Sequence, residues 1–209
     1  MPLGDAAGLV YRRPMTDATA RRLRHTRTAF ATIGLLAIGS PRFLSAQAAA
    51  AADTMPPPAR PEDVKSVDAI MNAAYDANSG PAGRHDTRRL RSLFLPGARL
   101  IPTGRPDSTG RVHLLMMSAP EYARSLEKFM LTHANWEWEI GRTVQTFGAV
   151  AQVFSAYASG REMHDPQPQE RGLNSFQLFY DGTRWYIVTI YWAAEYGDLK
   201  IPARYLNGR

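Results

Sequence analysis

Cysteine is absent from the 209 residues of the chain. Its absence excludes a disulfide-bonded scaffold, as well as metal sites and catalytic nucleophiles that depend on a thiolate. Strong compositional bias is also missing, since 44% of the residues are apolar, 21% are charged and 10% are aromatic. These fractions are typical of globular proteins, so we expect one packed domain of ordinary size and exclude a mainly disordered chain.

A run of apolar residues long enough for a membrane span is missing from the N-terminal region. The stretch TAFATIGLLAIGS at residues 28–40 has roughly a dozen residues, whereas a spanning helix needs about twenty. Four arginines between residues 21 and 27 precede it, and Ala46 and Ala48 follow it. This pattern predicts a secretory signal peptide over residues 1–48, with the true translation start at Met15 and export to the periplasm or the medium. A short buried helix is the alternative interpretation.

A large excess of positive charge is missing from the part of the chain that follows this leader. The formal charge of the whole chain is +6, but residues 1–48 carry seven arginines and two acids, a net charge of +5. The remainder has a net charge of +1. We therefore predict no nucleic-acid partner, because such proteins carry a clustered basic face. Residues 49–60 are rich in Ala and Pro and are predicted to form an extended linker, with no membrane span after processing.

The remaining residues predict helices first and a run of strands afterwards. The expected order is helix 61–78, helix 86–95, strands 98–102 and 111–116, helix 119–132, and strands 135–147, 150–159, 173–180 and 184–193. Ser118 with Glu121 forms a capping-box pattern, and Asp181-Gly182 is a hairpin signal. This order indicates an α+β domain over residues 61–195, and the tail at 196–209 is expected to pack on the domain or on a partner subunit.

Three stretches resemble the nuclear-transport-factor-2-like superfamily, which includes ketosteroid isomerase, scytalone dehydratase and the SnoaL-like cyclases. They are YDANSGPAGRHDTRRLRSLFLPGARLI, NWEWEIGRTVQTFGAVAQVFSAY and GLNSFQLFYDGTRWYIVTIYW. The resemblance implies a cone-shaped, highly curved and mostly antiparallel sheet wrapped around the N-terminal helices, with a pocket at the open end. It also implies that the domain can form a homodimer through its outer sheet face. The superfamily hosts unrelated activities, so the fold does not assign one.

The resemblance implies a carboxylate base just after the first strand, and this chain has none there. Pro102 stands near that position, and Asp107 lies further on in the turn-forming sequence RPDSTG. Tyr75, His85 and Asp86 are alternative candidates for proton transfer, since histidine titrates near neutrality and a carboxylate can fix its tautomer. Their plainer roles are an aromatic packing residue, a loop residue and a helix cap.

Glu137 and Glu139 lie on one face of a predicted strand, two residues apart. They could form an acid–base pair, but the plainer interpretation is that they occupy the solvated face opposite Trp136 and Trp138. If that face instead points inward, burial would raise the pKa of Glu139 and make it a candidate base.

Polar and aromatic residues of the strands are predicted to line the pocket and orient a ligand among apolar walls. They are His113, Trp138, Asn174, Ser175, Gln177, Thr189, Tyr191 and Trp192. The histidines lack the paired spacing of zinc sites, and no Gly-rich phosphate loop is present, so we predict neither metal nor cofactor.

Three hypotheses for function follow from these patterns. The first is an exported domain that binds a small, largely apolar molecule without an assignable catalytic set. The second is a dehydratase, isomerase or cyclase, which requires at least two titratable groups within hydrogen-bond reach inside the cone. The third is a non-catalytic dimeric interaction module, which requires a collapsed pocket and a broad exposed apolar face.

Overall fold

The structure is a computed structural model and describes residues 55–207. The predicted signal peptide and the first part of the linker lie outside these residues. Ten helices and strands and a closing 3-10 turn follow one another in the described part: α1 (Pro61–Val64), α2 (Val67–Ala77), α3 (Arg88–Ser92), β1 (Phe94–Pro102), β2 (Met117–Ser118), α4 (Ala119–Met130), β3 (Trp136–Phe147), β4 (Val150–Gly160), β5 (Glu170–Tyr180), β6 (Trp185–Ala194) and the turn Ala203–Tyr205.

The single helix expected over residues 61–78 is two helices. Ser66 has extended backbone angles (φ −150°, ψ 165°), and its side chain accepts a hydrogen bond from the Ala69 N–H at 3.1 Å. A serine in this conformation caps a new helix, so the chain bends between α1 and α2. The buried face of α2 includes Ile70, Met71 and Tyr75 and points toward the sheet.

The sequence also misplaced the elements around the first two strands. The predicted helix over 86–95 is short, and Phe94 already belongs to β1. Residues 111–116, predicted as a strand, form only an isolated bridge between Leu114 and Thr103. The Asp107 carboxylate accepts hydrogen bonds from the N–H groups of Thr109 and Arg111, which closes a turn and keeps most of this segment off the sheet.

A six-stranded mixed sheet in the order β2-β1-β6-β5-β4-β3 forms the body of the molecule. The pair β1–β6 is parallel, and the other pairs are antiparallel. The Asp181-Gly182 turn between β5 and β6 forms as predicted, with Gly182 at φ +98°. The predicted α+β class with a curved, mostly antiparallel sheet is therefore confirmed.

The core lies between the concave face of the sheet and the helices α2 and α4. The capping box at the start of α4 is confirmed, since Ser118 and Glu121 exchange side-chain and backbone hydrogen bonds. The C-terminal segment packs on the outer face, where Tyr205 contacts Phe154 and the backbone of Tyr205 and Leu206 crosses Gly141. No helix between residues 55 and 207 is long and apolar enough to cross a membrane.

Candidate functional site

A cavity of about 430 Å³ lies between the concave face of the sheet and the helices α2 and α4. This volume is within the range of small-molecule sites in proteins. Its walls are largely apolar: Ala74, Leu90, Phe94, Leu100, Leu126, Phe129, Phe176, Ile190 and Trp192 contribute to them. The cavity is therefore large enough to hold a small, largely apolar ligand.

Three neighbouring strands place a row of polar side chains on one wall. Glu137 on β3 lies opposite Ser159 on β4, and Ser159 lies opposite Glu170 on β5. Directly opposed residues on adjacent strands point to the same face of a sheet. All three line the cavity, so the wall presents a carboxyl, a hydroxyl and a second carboxyl in sequence.

Glu137 is a carboxyl of this wall whose pKa is strongly raised. Its burial raises the pKa to about 7, and the neighbouring Glu170 adds to this effect. Hydrogen bonds from Asn78 and Asn174 act in the opposite direction because they stabilise the charged form. The Asn78 amide donates to Glu137 Oε2 at 2.5 Å and accepts at Oδ1 from the Tyr122 hydroxyl at 2.9 Å. Glu137 can therefore both hold and release a proton near neutral pH.

Glu170 forms the second polar centre of this wall. Its Oε1 accepts a hydrogen bond from the Tyr157 hydroxyl at 2.9 Å. Burial raises the pKa of Glu170, whereas the Tyr157 hydrogen bond and the positive charge of Arg105 lower it. Burial also raises the pKa of Tyr157, and the charge of Glu170 raises it further. Two titratable groups thus lie within hydrogen-bond distance inside the cavity, which is the condition set above for an enzyme.

A hydrogen-bonded chain leads from the cavity to the surface through Tyr75. The Tyr75 and Ser155 hydroxyl oxygens are 2.6 Å apart, and Ser155 donates to Glu139 Oε1 at 2.5 Å. Glu139 is paired with Arg142, whose Nη1 contacts the exposed Asp68 at 2.6 Å. Burial raises the pKa of Tyr75, so its hydroxyl stays protonated at neutral pH.

The loop after β1 forms the mouth of the cavity. Arg105, Asp107 and His113 contribute to its lining. The His113 ring nitrogen Nε2 lies 2.9 Å from Asp107 Oδ2, and hydrogen bonds from Thr109 and His113 lower the pKa of Asp107. Asp107 is therefore negatively charged at neutral pH. Its carboxylate holds the turn and contacts His113.

The structure separates the predicted site residues into two groups. Tyr75, His113, Asn174 and Trp192 line the cavity. The other predicted residues lie outside its lining: His85, Asp86, Trp138, Glu139, Ser175, Gln177, Thr189 and Tyr191.

Strand alternation accounts for the residues of the second group on β5 and β6. Ser175 pairs with Tyr191 and Gln177 with Thr189, and these pairs lie on the sheet face opposite Asn174 and Trp192. Trp138 also faces outward, where its ring contacts His164 edge-on with the centroids 5.5 Å apart.

His85, Asp86 and Glu139 make other contacts. The His85 Nε2 lies 3.1 Å from the backbone oxygen of Ala77. Asp86 accepts hydrogen bonds from the side chain and backbone N–H of Arg88, and these interactions lower the pKa of Asp86 to about 2. Glu139 reaches the cavity only through Ser155 and Tyr75. The prediction that Glu137 and Glu139 face solvent is wrong, because the face that carries them is turned toward α2.

Four further residues line the cavity that the sequence patterns did not predict, and Glu137 lies in a different environment from the predicted one; the four are Asn78, Tyr122, Tyr157 and Glu170. Glu170 belongs to a polar run that the sequence assigned to a loop, and the strand β5 begins at this residue. Asn78 ends α2 and looked like a helix-stop residue. The sequence does contain a pattern that places Tyr157 inside. It alternates along β4 with Val153 and Ser155, so the three side chains lie on one face of the strand. Between residues 55 and 207, no group of three or more His, Asp and Glu side chains is placed to hold a metal ion.

Comparison with solved structures finds proteins of the predicted superfamily. An NTF2-like protein of unknown function from Shewanella baltica is 11% identical, with a TM-score of 0.43, over 61% of this chain and 90% of its own. A candidate dehydratase from the NTF2-like family of Streptomyces avermitilis is 18% identical, with a TM-score of 0.46, over 65% and 97%. A candidate ketosteroid isomerase from Parabacteroides distasonis is 11% identical, with a TM-score of 0.43, over 63% and 89%.

These names agree with the resemblance seen in the sequence. No family model matches the chain, and no curated protein matches it. At these identities the likeness says nothing about activity, so function has to be argued from the cavity itself.

Proposed function

We propose that this chain is an enzyme that catalyses proton transfer on a small, largely apolar molecule, in the manner of an isomerase or a dehydratase. The observation that carries the proposal is the carboxyl of Glu137, which lines a largely apolar cavity and has a pKa of about 7. A general base works best when its pKa is close to the operating pH. In its charged form, Glu137 would take a proton from a carbon next to an electron-withdrawing group of the substrate.

Glu170 and Tyr157 would supply the complementary acid. Backbone positions two strands apart in a sheet are separated by about 10 Å, so a small substrate fits between side chains that project from β3 and β5. In an isomerisation, the proton taken by Glu137 returns to another atom of the substrate. In a dehydration, a C–H and a C–O bond break, and Glu170 in its protonated form gives the leaving hydroxide the proton it needs to depart as water.

A non-catalytic binding protein is the second candidate, and the apolar walls favour it. Leu90, Leu100, Leu126 and Ile190 would hold an apolar ligand without any chemistry. The two candidates differ in what they require of Glu137. A binding protein works equally well with glutamine at this position, because glutamine has nearly the same shape and keeps a hydrogen-bonding amide.

The experiment that tests the proposal follows hydrogen exchange at carbon. A panel of small cyclic ketones, such as 2-tetralone and cyclohexenone, is incubated with the protein in D2O, and ¹H NMR measures the loss of the protons next to the carbonyl. We expect accelerated exchange with an inflection near pH 7, as the charged form of Glu137 accumulates. Glu137→Gln should lose at least roughly a hundredfold in rate, the usual contribution of a general base.

Asp68→Asn is the matched control, because it also removes one carboxylate but at an exposed position outside the cavity lining. Its exchange rate should equal that of the unmodified protein. Glu137→Gln with an unchanged rate would contradict the proposed role of Glu137. Binding of the ketones without any exchange would favour the non-catalytic candidate.

We also propose a homodimer formed through the outer sheet face. Support comes from apolar side chains on that face, since Phe147 is 90% and Val150 is 54% exposed. Exposed apolar patches commonly mark interaction sites. Sedimentation velocity of the protein and of Phe147→Lys tests this proposal, because a dimer that uses this face should dissociate when the charge is introduced.

A further inference from the structure

The carboxyl of Glu137 differs from two other buried acids of the described residues, Asp63 and Glu139, in that no cation acts on its pKa, and Glu170 is influenced only by the charge of Arg105. Asp63 is paired with Arg89 at 2.8 Å, and Glu139 with Arg142 at 2.6 Å. Asn78, Asn174 and Glu170 are the groups that act on Glu137, and none of them is a cation. Buried charges in proteins are normally paired, so the charged form of Glu137 leaves a place for a positive group.

Three of the four tyrosines that line the cavity, Tyr75, Tyr122 and Tyr157, direct their hydroxyl protons to protein acceptors. Tyr122 donates to Asn78 Oδ1, and Tyr157 donates to Glu170 Oε1. Ser155 gives its own proton to the carboxylate of Glu139, so the short contact with Tyr75 requires Tyr75 to donate to Ser155. Each tyrosine therefore offers the cavity an oxygen that accepts hydrogen bonds.

The Asn174 amide also directs its N–H groups to protein acceptors. It donates to the Tyr75 oxygen at 3.2 Å and also hydrogen-bonds Glu137. The wall formed by Glu137, Ser159 and Glu170 thus has an excess of acceptors over donors. A ligand group that accepts hydrogen bonds would find few partners on this wall, whereas a group with several donors would find many.

Aromatic rings also line the cavity that contains this wall. Tyr122 and Trp192 meet edge to face with their centroids 6.1 Å apart, and both line the cavity. The faces of such rings attract cations, most strongly where water is excluded. Carboxyl groups and aromatic faces together are the surroundings that favour an ammonium group attached to an apolar body.

From the cavity wall we infer that the substrate is a small, largely apolar amine, bound as its ammonium ion over Ser159 between Glu137 and Glu170. The inference rests on the proposed function, since Glu137 would then act beside the bound nitrogen. Arg105 also lines the cavity, and its charge lowers the pKa of Glu170, so it would repel a second positive group on the ligand. A single positive charge is therefore expected.

The test compares three probes with one aromatic body: 1-naphthylmethylamine, 1-naphthylmethanol and 1-naphthoate. Isothermal titration calorimetry at about pH 8, where Glu137 is charged, should give an affinity for the amine at least roughly tenfold above that for the alcohol, the effect of one charge-assisted hydrogen bond. Naphthoate should bind most weakly. In Glu137→Gln the advantage of the amine should fall below about threefold.

A second measurement needs no variant. The ratio of amine to alcohol affinity in the unmodified protein should increase as the pH is raised through 7, because Glu137 becomes charged while the amine remains protonated. Glu170 and Arg105 also line the cavity; burial raises the pKa of Glu170 and the positive charge of Arg105 lowers it, and ionisation of Glu170 would act in the same direction as that of Glu137.

Equal affinities for the amine and the alcohol, both below pH 7 and at about pH 8, would overturn the inference. Failure of all three probes to bind would also overturn it. Tighter binding of naphthoate would show that Arg105 selects the ligand. None of these results bears on the deuterium exchange that tests the base at Glu137, so the two proposals can fail separately.

Discussion

The carboxyl of Glu137 links the pH to the stability of the fold. Burial raises its pKa from 4.5 to about 7. Between these values the folded protein keeps a proton that the unfolded chain has released, so the free energy of unfolding decreases as the pH rises through this window. The contribution is largest below pH 4.5 and is lost above pH 7, and its size is about 3 kcal/mol.

We predict that Glu137→Gln removes this dependence. Urea unfolding at about pH 4 and about pH 8 should show a loss in the unmodified protein that exceeds the loss in the variant by about 3 kcal/mol. The raised pKa of Glu170 acts in the same direction and is present in both proteins, so only its charge interaction with Glu137 differs between them. Identical pH dependence in the two proteins would mean that Glu137 titrates like a solvent-exposed carboxyl.

Arg142 supports a second prediction at the scale of single residues. Its side chain is 8% exposed and pairs with Glu139, which is 13% exposed. Arg142→Met leaves the Glu139 carboxylate buried without its cation, which should cost about 3 kcal/mol of stability in urea unfolding at neutral pH.

Two further variants make this prediction specific. Asp68 contacts the same guanidinium but is 82% exposed, so Asp68→Asn should change stability by about 0.5 kcal/mol or less. Glu139→Gln combined with Arg142→Met should be more stable than Arg142→Met alone. If the double variant were the less stable protein, an unpaired charge could not be the cause of the loss.

Alternation along β3 predicted that Glu137 and Glu139 share a face, but not which face is inside. Both faces of this strand are covered in part, since Trp138 and Gly141 are covered by His164 and the Tyr205 backbone on the outer side, and Asn78 contacts Glu137 on the inner side. Tryptophan on one face and glutamate on the other favour the wrong orientation when hydrophobicity alone is considered. The partners that make an inward glutamate tolerable, Asn78 and Asn174, are distant in sequence.

At the scale of elements, local signals were reliable where the contact that defines the element is local. The capping box and the Asp181-Gly182 turn were predicted because the interacting groups lie within three residues of each other. The segment 111–116 was misassigned because its alternating apolar pattern competes with the turn held by Asp107. Whether such a segment forms a strand or a turn depends on residues outside the segment, and its own alternating pattern does not show them.

The capping box of α4 provides a prediction for a whole element. Ser118→Ala removes the side-chain acceptor of the Glu121 N–H and the hydroxyl that donates to its carboxylate. The loss should be about 1 kcal/mol, measured by thermal or urea unfolding. Ser125→Ala, within the same helix, removes a hydroxyl that bonds only the Glu121 backbone oxygen and should have an effect below about 0.5 kcal/mol. Equal losses would indicate a general effect of alanine in α4.

At the scale of the molecule, the order of helices and strands was sufficient to predict the α+β class, whereas the composition of the cavity was not. Its lining extends from Ala74 to Tyr196 and brings together residues of α2, α3 and α4 and of five strands. A sequence shows which residues alternate, but the side of a curved sheet that receives the helices follows from contacts over the whole chain. The acceptor-rich wall became visible only when β3, β4 and β5 were placed in register.

The distribution of charge along the chain leads to the final prediction. Residues 1–48 carry a net charge of +5 and the remainder +1. We propose that this N-terminal region directs export, and that cleavage after Ala48 leaves the near-neutral domain. Small residues at Ala46 and Ala48 suit the cleavage site of a signal peptidase. When the full chain is expressed in a Gram-negative host, intact-mass analysis of the periplasmic fraction should find a product that begins at Ala49.

The double substitution Ala46→Phe and Ala48→Phe should block this cleavage, because the peptidase requires small side chains at both positions. Both residues belong to the proposed leader, so the sequence that follows Ala48 is the same in both proteins. The variant should remain attached to the inner membrane with the mass of the precursor. A cleaved product of unaltered mass from this variant, or precursor of the unmodified chain in the cytoplasm, would contradict the signal-peptide assignment and leave the proposed chemistry of Glu137 to be judged by its own tests.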